Sequence, residues 1–253
     1  MNLFQASLGN SPRVAGRYVL VIINGESNSG GYAPNSEAPS EEVGSQPQVQ
    51  ILNNNSLVFE DLNIGVNNLL DHAGLPGGNH GFELELAVRS LEDSTFYKPV
   101  THLIKTGQGG SMISQWNVGG AYFNKFVQRI EAAQNEIEFN RVTPVILFSL
   151  GINDAISGTN VNTWKAGVIQ HFINLREVIG LGNVPIIMTE FQGMGSGGNQ
   201  YSSYITAIRE IAAEVENVYS VDVSGAALRD TNHWNYAGMK LVAGRLLDEF
   251  ESL

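Results

Sequence analysis

The sequence predicts an α/β protein in which helices cover both faces of a parallel sheet. Short apolar runs alternate with amphipathic helical segments along most of the chain, which is the order that builds a parallel sheet. Of the 253 residues, 43% are hydrophobic and 15% are charged, enough apolar material for a sizeable core. The first three apolar runs end in small, turn-forming residues. Because right-handed crossovers place the carboxyl ends of parallel strands on one rim, we expect these turns to meet in space.

The first predicted strand is Tyr18 to Ile23, an apolar run that stops at a turn rich in Gly, Asn and Ser. Residues 33–63 follow and are rich in Pro, Ser, Asn and Glu, which predicts a long irregular insertion. Within it, Gln48 to Leu52 and Leu57 to Phe59 are candidates for a small hairpin. Residues 74–81 read as a loop, and Phe82 to Val88 has the apolar face of a helix.

The second half of the chain repeats the same alternation. Further strands are predicted at 99–106, 144–150, 185–189 and 218–223, and further helices at 122–137, 163–179, 201–215 and 235–253. No internal repeat or low-complexity linker interrupts this pattern, so residues 1–253 are predicted to form a single domain.

Charge and cysteine content exclude several function classes. The formal net charge is −11 and the pI about 4.8, which argues against nucleic acid and anionic membrane surfaces as partners. The absence of cysteine excludes disulfides, thiolate zinc sites and a cysteine nucleophile. Neither a signal peptide nor an apolar run long enough to span a membrane is visible. The compartment and the oligomeric state therefore stay open, although few lysines and much Asn, Gly and Ser are typical of extracellular or virion surfaces.

Three of the turns at strand ends contain candidate catalytic groups. Ser27 follows the first strand, Gly110 the second and Asn153 the third. In α/β sheets, chemistry collects at the carboxyl ends of strands, so we interpret Ser27 as a nucleophile. Taken singly, each turn has a plain structural alternative: a Gly-rich turn around Ser27, a strand-to-helix turn or phosphate-binding loop around Gly110, and a helix N-cap at Asn153.

The base that such a serine needs is predicted to be His233. Asp230 lies three residues before it, a spacing that brings a carboxylate to one imidazole nitrogen within a single turn and leaves the other free. Asp230 also has two structural alternatives, a cap of the last helix or an Asx turn. Together these groups fit acyl transfer, in which an imidazole takes the serine proton and a carboxylate orients the imidazole. The N–H groups of Ser27 and Gly110 and the amide of Asn153 would bind the oxyanion.

These motifs resemble the SGNH (GDSL-like) hydrolases, and most closely their sialate O-acetylesterase and acetylxylan-esterase branch. Gly-Glu-Ser-Asn at 25–28 is similar to the G-Q-S-N block, with Glu26 in place of Gln. His-Gly-Phe-Glu at 80–83 is similar to H-G-P-E, with Phe82 in place of Pro. The stretch from Lys105 to Trp116 matches K-x-x-x-G-G-(S/T)…W. Gly-Ile-Asn-Asp at 151–154 follows the wider superfamily, and Asp-Thr-Asn-His at 230–233 matches D-x-x-H.

The resemblance covers nearly the whole chain and implies a three-layer α/β/α sandwich, flavodoxin-like, with about five parallel strands. It also implies a serine esterase that removes acetyl groups from a carbohydrate or another small acyl ester, with no metal or organic cofactor. Glu26, Glu83, Trp116 and Trp234 are the candidate substrate contacts. Two alternatives remain: a lipase or thioesterase of the same superfamily, and a non-catalytic glycan-binding or virion adhesin module.

Overall fold

The computed structural model describes residues 18–68, 78–92, 96–97 and 100–253. Its strands are β1 (Tyr18–Gly25), β2 (Ala33–Pro34), β3 (Gly44–Leu52), β4 (Phe59–Ile64), β5 (Asn79–His80), β6 (Thr101–Gly107), β7 (Val142–Ser149), β8 (Ile186–Thr189) and β9 (Val218–Val221). Its α-helices are α1 (Ser27–Gly30), α2 (Glu83–Glu92), α3 (Phe123–Glu136), α4 (Ile152–Ile156), α5 (Val161–Ile179), α6 (Ser202–Glu214) and α7 (Tyr236–Ser252).

Seven strands form one sheet in the order β4-β3-β6-β1-β7-β8-β9. Neighbouring strands are parallel throughout, except that β3 and β4 are antiparallel. The run β6-β1-β7-β8-β9 has the strand order of flavodoxin. The predicted fold class is therefore confirmed, with six parallel strands instead of about five. The short strands β2 and β5 pair separately from this sheet.

Helices cover the sheet in two layers. Helices α2 and α7 contact each other, and α3, α5 and α6 form a second contiguous group. Their starts are set locally: Asn160 caps α5 by accepting the N–H groups of Asn162 and Thr163, and Asn235 caps α7 by accepting that of Gly238. The sandwiched strands are buried on both sides. Residues 19–23 of β1 are at most 3% exposed, which explains the unbroken apolar runs in the sequence.

The predicted irregular insertion at 33–63 is wrong in part, because this region contributes two strands to the main sheet. The candidate hairpin is confirmed in part: β3 contains its first strand, whereas β4 overlaps the second only at Phe59. Strand β3 also pairs in parallel with β6. The β3–β4 register shifts between Gln46 and Gln50, on either side of Pro47. This irregularity interrupts the alternation of buried and exposed residues by which a strand is recognised in sequence. Of the predicted loop at 74–81, residues 74–77 lie outside the described residues, and the prediction is wrong at Asn79–His80, which forms β5.

Strand register brings the three candidate turns to one place on the rim. Gly25, the last residue of β1, lies opposite Gly107 of β6 on one side and Ser149 of β7 on the other. The predicted meeting of these turns is thus confirmed. The approach is close: a Cβ on Gly25 would lie 2.0 Å from the carbonyl oxygen of Ser149. The backbone of Gly25 also has φ +141°, which disfavours any residue with a side chain.

Candidate active site

Ser27 begins α1 immediately after the central strand β1. The turn closes tightly, since the N–H of Gly31 donates to the carbonyl of Ser27 at 2.8 Å. Ser27 is 8% exposed, and its Oγ lies 2.9 Å from Nε2 of His233. The hydroxyl is therefore at hydrogen-bond distance from an imidazole that comes 206 positions later in the chain.

His233 and Asp230 lie in the loop before α7. Nδ1 of His233 is 2.9 Å from Oδ2 and 3.0 Å from Oδ1 of Asp230. Since a carboxylate only accepts hydrogen bonds, Nδ1 carries the proton, and Nε2 presents its lone pair to Ser27. Partial burial opposes ionisation of Asp230. Hydrogen bonds from the N–H groups of Asn232 and His233, together with the imidazole, outweigh burial and hold the pKa of Asp230 below its ordinary value.

Asn28 connects the nucleophile turn with the histidine loop. Its side-chain Nδ2 donates to the carbonyl of Asn232 at 2.9 Å, and its Oδ1 accepts the N–H of Trp234 at 3.4 Å. On the other side of the loop, the hydroxyl of Tyr201 donates to Oδ1 of Asn232 at 2.8 Å. This role of Asn28 was not predicted, although its place in the Gly-Glu-Ser-Asn block was a signal for it.

Tyr32 covers one face of the His233 imidazole. The two rings stack with centroids 3.8 Å apart and planes inclined by 19°. Arg229 holds Tyr32 in turn, because its guanidinium lies 5.1 Å from the tyrosine ring centroid and donates to the Tyr32 carbonyl at 2.9 Å. This stacking restricts rotation of the imidazole, which adds to the orienting effect of Asp230.

Gly110 lies in the exposed turn after β6. A Cβ there would meet no atom within 4 Å, whereas the backbone φ is +72°. Glycine is therefore favoured here by backbone conformation, and crowding by the surrounding protein is not the reason. The turn is anchored at both ends: the N–H of Gln108 donates to the carbonyl of Gly25 at 2.9 Å, and the N–H of Ile113 donates to Asp154 at 3.0 Å. Burial raises the pKa of Asp154 to about 6.

Asn153 lies in the first turn of α4, directly after β7, and is half-buried. Its Nδ2 donates to Oε2 of Glu26 at 2.6 Å. An amide nitrogen carries two protons, so one N–H remains for a ligand. The strand register thus places the turns that carry Ser27, Gly110 and Asn153 next to one another on the rim.

Glu26 is buried, with no exposed side-chain surface. Its carboxylate points away from Ser27 toward α4, where it also accepts the backbone N–H groups of Ile152 at 3.2 Å and Asn153 at 3.3 Å. The predicted contact of Glu26 with substrate is therefore corrected to a contact with Asn153. Burial raises the pKa of Glu26 to about 7, although the hydrogen bonds from Asn153 and Ile152 act in the opposite direction.

Glu83, Trp116 and Trp234, the other candidate substrate contacts, are also buried. Glu83 pairs with the buried Lys105 at 2.7 Å. Burial alone would raise the pKa of Glu83, but Lys105 and a hydrogen bond from Asn68 hold that pKa below its ordinary value. The indole N–H of Trp116 donates to the hydroxyl of Ser111 in the Gly110 turn at 2.9 Å, and Trp234 is 0% exposed. The expectation that these three contact substrate is corrected, because large aromatic groups and a paired carboxylate stabilise the interior beneath the rim.

The other described histidines have structural partners. His80 contacts Asn35 at 2.9 Å, and His171 contacts Asn24 at 2.8 Å beneath the rim. His102 lies in β6, edge-on to Tyr18. His72 lies outside the described residues.

Within the described ranges, no three His, Asp or Glu side chains converge in a way that could hold a metal ion. In the same ranges, no helix has the length and apolarity needed to cross a membrane.

Comparison with known proteins places this chain in a family. The model of the family described as "carbohydrate esterase, sialic acid-specific acetylesterase" matches residues 17–252. The chain belongs to this family. The resemblance seen in the motifs is thereby confirmed, together with the predicted enzyme class of the family, the carboxylic ester hydrolases.

One curated relative of the chain is a probable carbohydrate esterase of Arabidopsis thaliana. It is 26% identical over 138 residues, which make up 53% of this chain and 48% of that protein. The match thus spans about half the length of that relative.

Solved structures share the fold over most of the chain. The crystal structure of the Arabidopsis protein superposes with a TM-score of 0.72 at 18% identity, covering 93% of this chain and 98% of that one. NanS superposes with a TM-score of 0.72 at 13% identity, and the match covers 94% of this chain and 99% of NanS. A carbohydrate acetylesterase of Xanthomonas citri superposes with a TM-score of 0.62 at 14% identity, and the match covers 91% of this chain and 55% of that one. At these identities the likeness is one of fold.

Proposed function

We propose that this protein is a serine esterase that hydrolyses O-acetyl groups on a carbohydrate through an acyl-enzyme. The observation that carries the proposal is the relay of Ser27, His233 and Asp230, with contacts of 2.9 Å at each step. Membership of the acetylesterase family supports the acetyl group and the carbohydrate.

The proposed reaction has two halves. Oγ of Ser27 attacks the acetyl carbonyl while Nε2 of His233 takes the hydroxyl proton, and the carbonyl oxygen becomes an oxyanion. The N–H groups of Ser27 and Gly110 and the side-chain amide of Asn153 stabilise that charge. Collapse of the tetrahedral intermediate breaks the bond between the acetyl carbon and the sugar oxygen, and His233 gives its proton to that oxygen. Water then attacks the acetyl-serine by the same route, which releases acetate and restores the hydroxyl.

Asp230 has a supporting part in this scheme. Its ionised carboxylate fixes the Nδ1–H tautomer and stabilises the imidazolium that forms when His233 takes the serine proton. The hydrogen bonds from the N–H groups of Asn232 and His233 favour the ionised form. The carboxylate is therefore charged under the conditions in which His233 acts as a base.

The first experiment distinguishes an enzyme from a non-catalytic glycan-binding module. Purified protein is assayed with p-nitrophenyl acetate beside Ser27→Ala and the control Ser252→Ala, which alters an exposed serine at the far end of α7. We expect turnover by the wild type and the control and near-complete loss in Ser27→Ala. Inactive wild type would support the binding module, and an active Ser27→Ala would contradict the assigned nucleophile.

A second experiment separates an acetylesterase from a lipase or thioesterase of the same superfamily. The kcat/KM for p-nitrophenyl acetate is compared with that for the octanoate ester, and acetate release is then measured from acetylated xylan, sialic acids and bacterial polysaccharides. Preference for acetate and release from at least one glycan are expected. Preference for octanoate would favour the lipase alternative.

A further inference from the structure

Glu26 is a buried carboxyl group with no place in the triad, yet it touches one of the proposed oxyanion donors. Oε2 accepts the side-chain N–H of Asn153 at 2.6 Å and its backbone N–H at 3.3 Å, and Oε1 accepts the N–H of Ile152 at 3.2 Å. All three groups that contact the Glu26 carboxyl are hydrogen-bond donors. A carboxylate satisfies three donors, whereas a carboxylic acid would have to turn its own proton toward one of them.

We propose that Glu26 is a positioning residue, whose carboxylate holds the Asn153 amide so that its second N–H faces the oxyanion. This inference rests on the proposed function, since it requires an ester carbonyl at the rim. The physical reason is that the nitrogen and the oxygen of a carboxamide exchange places when the group rotates by half a turn. Rotation of the Asn153 amide by half a turn would place its oxygen against the carboxylate of Glu26, and two acceptors repel each other. The carboxylate therefore selects the rotamer in which nitrogen, the donor atom, lies at this site.

The same contact makes the site sensitive to the charge of Glu26. Burial raises its pKa to about 7, and the nearby Asp154 of α4 acts in the same direction. The other titratable groups that face this region are Tyr201, whose pKa is raised by burial and by Glu26, and His233 on the far side of Ser27. Protonation of Glu26 would turn an acceptor oxygen into a donor. The orienting contact is therefore strongest above the pKa and weakens as the pH falls through it.

Two substitutions separate positioning from packing. Glu26→Gln keeps a carbonyl oxygen that accepts from Asn153, but it has no charge to titrate, and it is the residue of the G-Q-S-N block that the motif resembles. Glu26→Ala removes the acceptor altogether. Glu85→Gln is the matched control, because Glu85 is another buried carboxyl that lies on α2 and pairs with Arg89.

The kinetic test measures kcat and KM for p-nitrophenyl acetate from about pH 5 to 9, with folding checked by circular dichroism. Glu26→Ala is expected to lose about 10²-fold in kcat, the size of effect seen when an oxyanion donor is lost, with KM nearly unchanged. Glu26→Gln should recover most of that loss. Because protonated Glu26 is neutral like Gln, the advantage in kcat/KM of the wild type over Glu26→Gln should disappear as the pH falls below about 7. Unchanged kcat in Glu26→Ala, or equal losses in both variants, would overturn the proposal.

A measurement without substrate keeps this inference separate from the proposed function. The side-chain amide resonances of Asn153 are followed by NMR through the same pH range in the wild type, Glu26→Gln and Glu85→Gln. They should show a transition near pH 7 in the wild type and in Glu85→Gln that is missing in Glu26→Gln, which keeps only the effect of the neighbouring Asp154 near pH 6. A wild-type signal with the same pH dependence as Glu26→Gln would refute the Glu26 contact even in an active enzyme. A titrating signal in a protein without esterase activity would instead refute the proposed reaction and the oxyanion role of Asn153.

Discussion

Replacement of Glu26 by Gln should change how the stability of this protein depends on pH. The carboxyl group is fully buried, and its pKa rises from 4.5 to about 7 on folding. The folded state therefore holds the Glu26 proton more tightly than the unfolded chain. This contribution to stability is fully present below about pH 4.5, and it is lost as the pH rises through the folded-state pKa near 7.

The size of the effect follows from the shift. One pKa unit corresponds to about 1.4 kcal/mol, so the difference between 4.5 and about 7 corresponds to about 3 kcal/mol. Glu26→Gln lacks this titration. The free energy of unfolding of the wild type should thus fall by about 3 kcal/mol relative to the variant between about pH 4.5 and 8. In a chain of this size, that corresponds to roughly 6–12 °C in Tm.

Urea denaturation of both proteins at several pH values, followed by tryptophan fluorescence, measures this difference. The decisive quantity is its change with pH, since a constant offset reports only the packing of the amide. A gap between wild type and Glu26→Gln that stays constant across the range would refute the reasoning. It would mean that Glu26 ionises in the folded protein as readily as in the unfolded chain.

Three further predictions concern other parts of the site. Asp230→Asn should leave the circular dichroism spectrum intact and lower kcat by up to about 10⁴-fold, because His233 then adopts the wrong tautomer; unchanged kcat would move the orienting role elsewhere. Lys105→Met should destabilise the protein by about 3–5 kcal/mol in urea denaturation, since it leaves the Glu83 carboxylate buried without its cation. Adding Glu83→Gln should restore much of that loss, and failure to do so would contradict the pairing. Gly110→Ala should fold with a loss of about 1–2 kcal/mol from its positive φ, and a lower kcat would report displacement of its N–H.

Glu26 links stability to the proposed function. A buried charge beside the nucleophile lowers the stability of the folded protein at neutral pH, whereas the same charge favours the donor rotamer of Asn153. Functional sites commonly keep groups that a purely structural position would not tolerate.

The strands that are buried on both faces along their length were predictable from the sequence. Strand β1 is covered on both faces, so its apolar run marked it directly. Strand β3 was predicted only in part, because its pairing shifts register around Pro47 and its exposed positions are polar. No local pattern shows that β3 lies beside β6, since that pairing depends on a crossover between distant segments.

For the candidate site too, the sequence and the structure agree on some residues and differ on others. Residue type and position at strand ends and before the last helix suggested Ser27, Gly110, Asn153, Asp230 and His233, which the structure brings to one rim. The substrate contacts were not correctly predicted, because the sequence shows that Trp116 is aromatic but not that its indole points inward to Ser111. Side-chain direction depends on packing against residues far away in the chain, which leaves no trace in local spacing.

The sequence by itself determined the alternation of strands and helices, the acidic surface charge and the set of groups able to perform acyl transfer. Tertiary structure decided which of those groups touch. It brought His233 to within 2.9 Å of Ser27, and it directed Glu26 away from the nucleophile and onto Asn153. The physical reason is the parallel sheet, whose register aligns Gly25 with Gly107 and Ser149 and so fixes where every following turn begins.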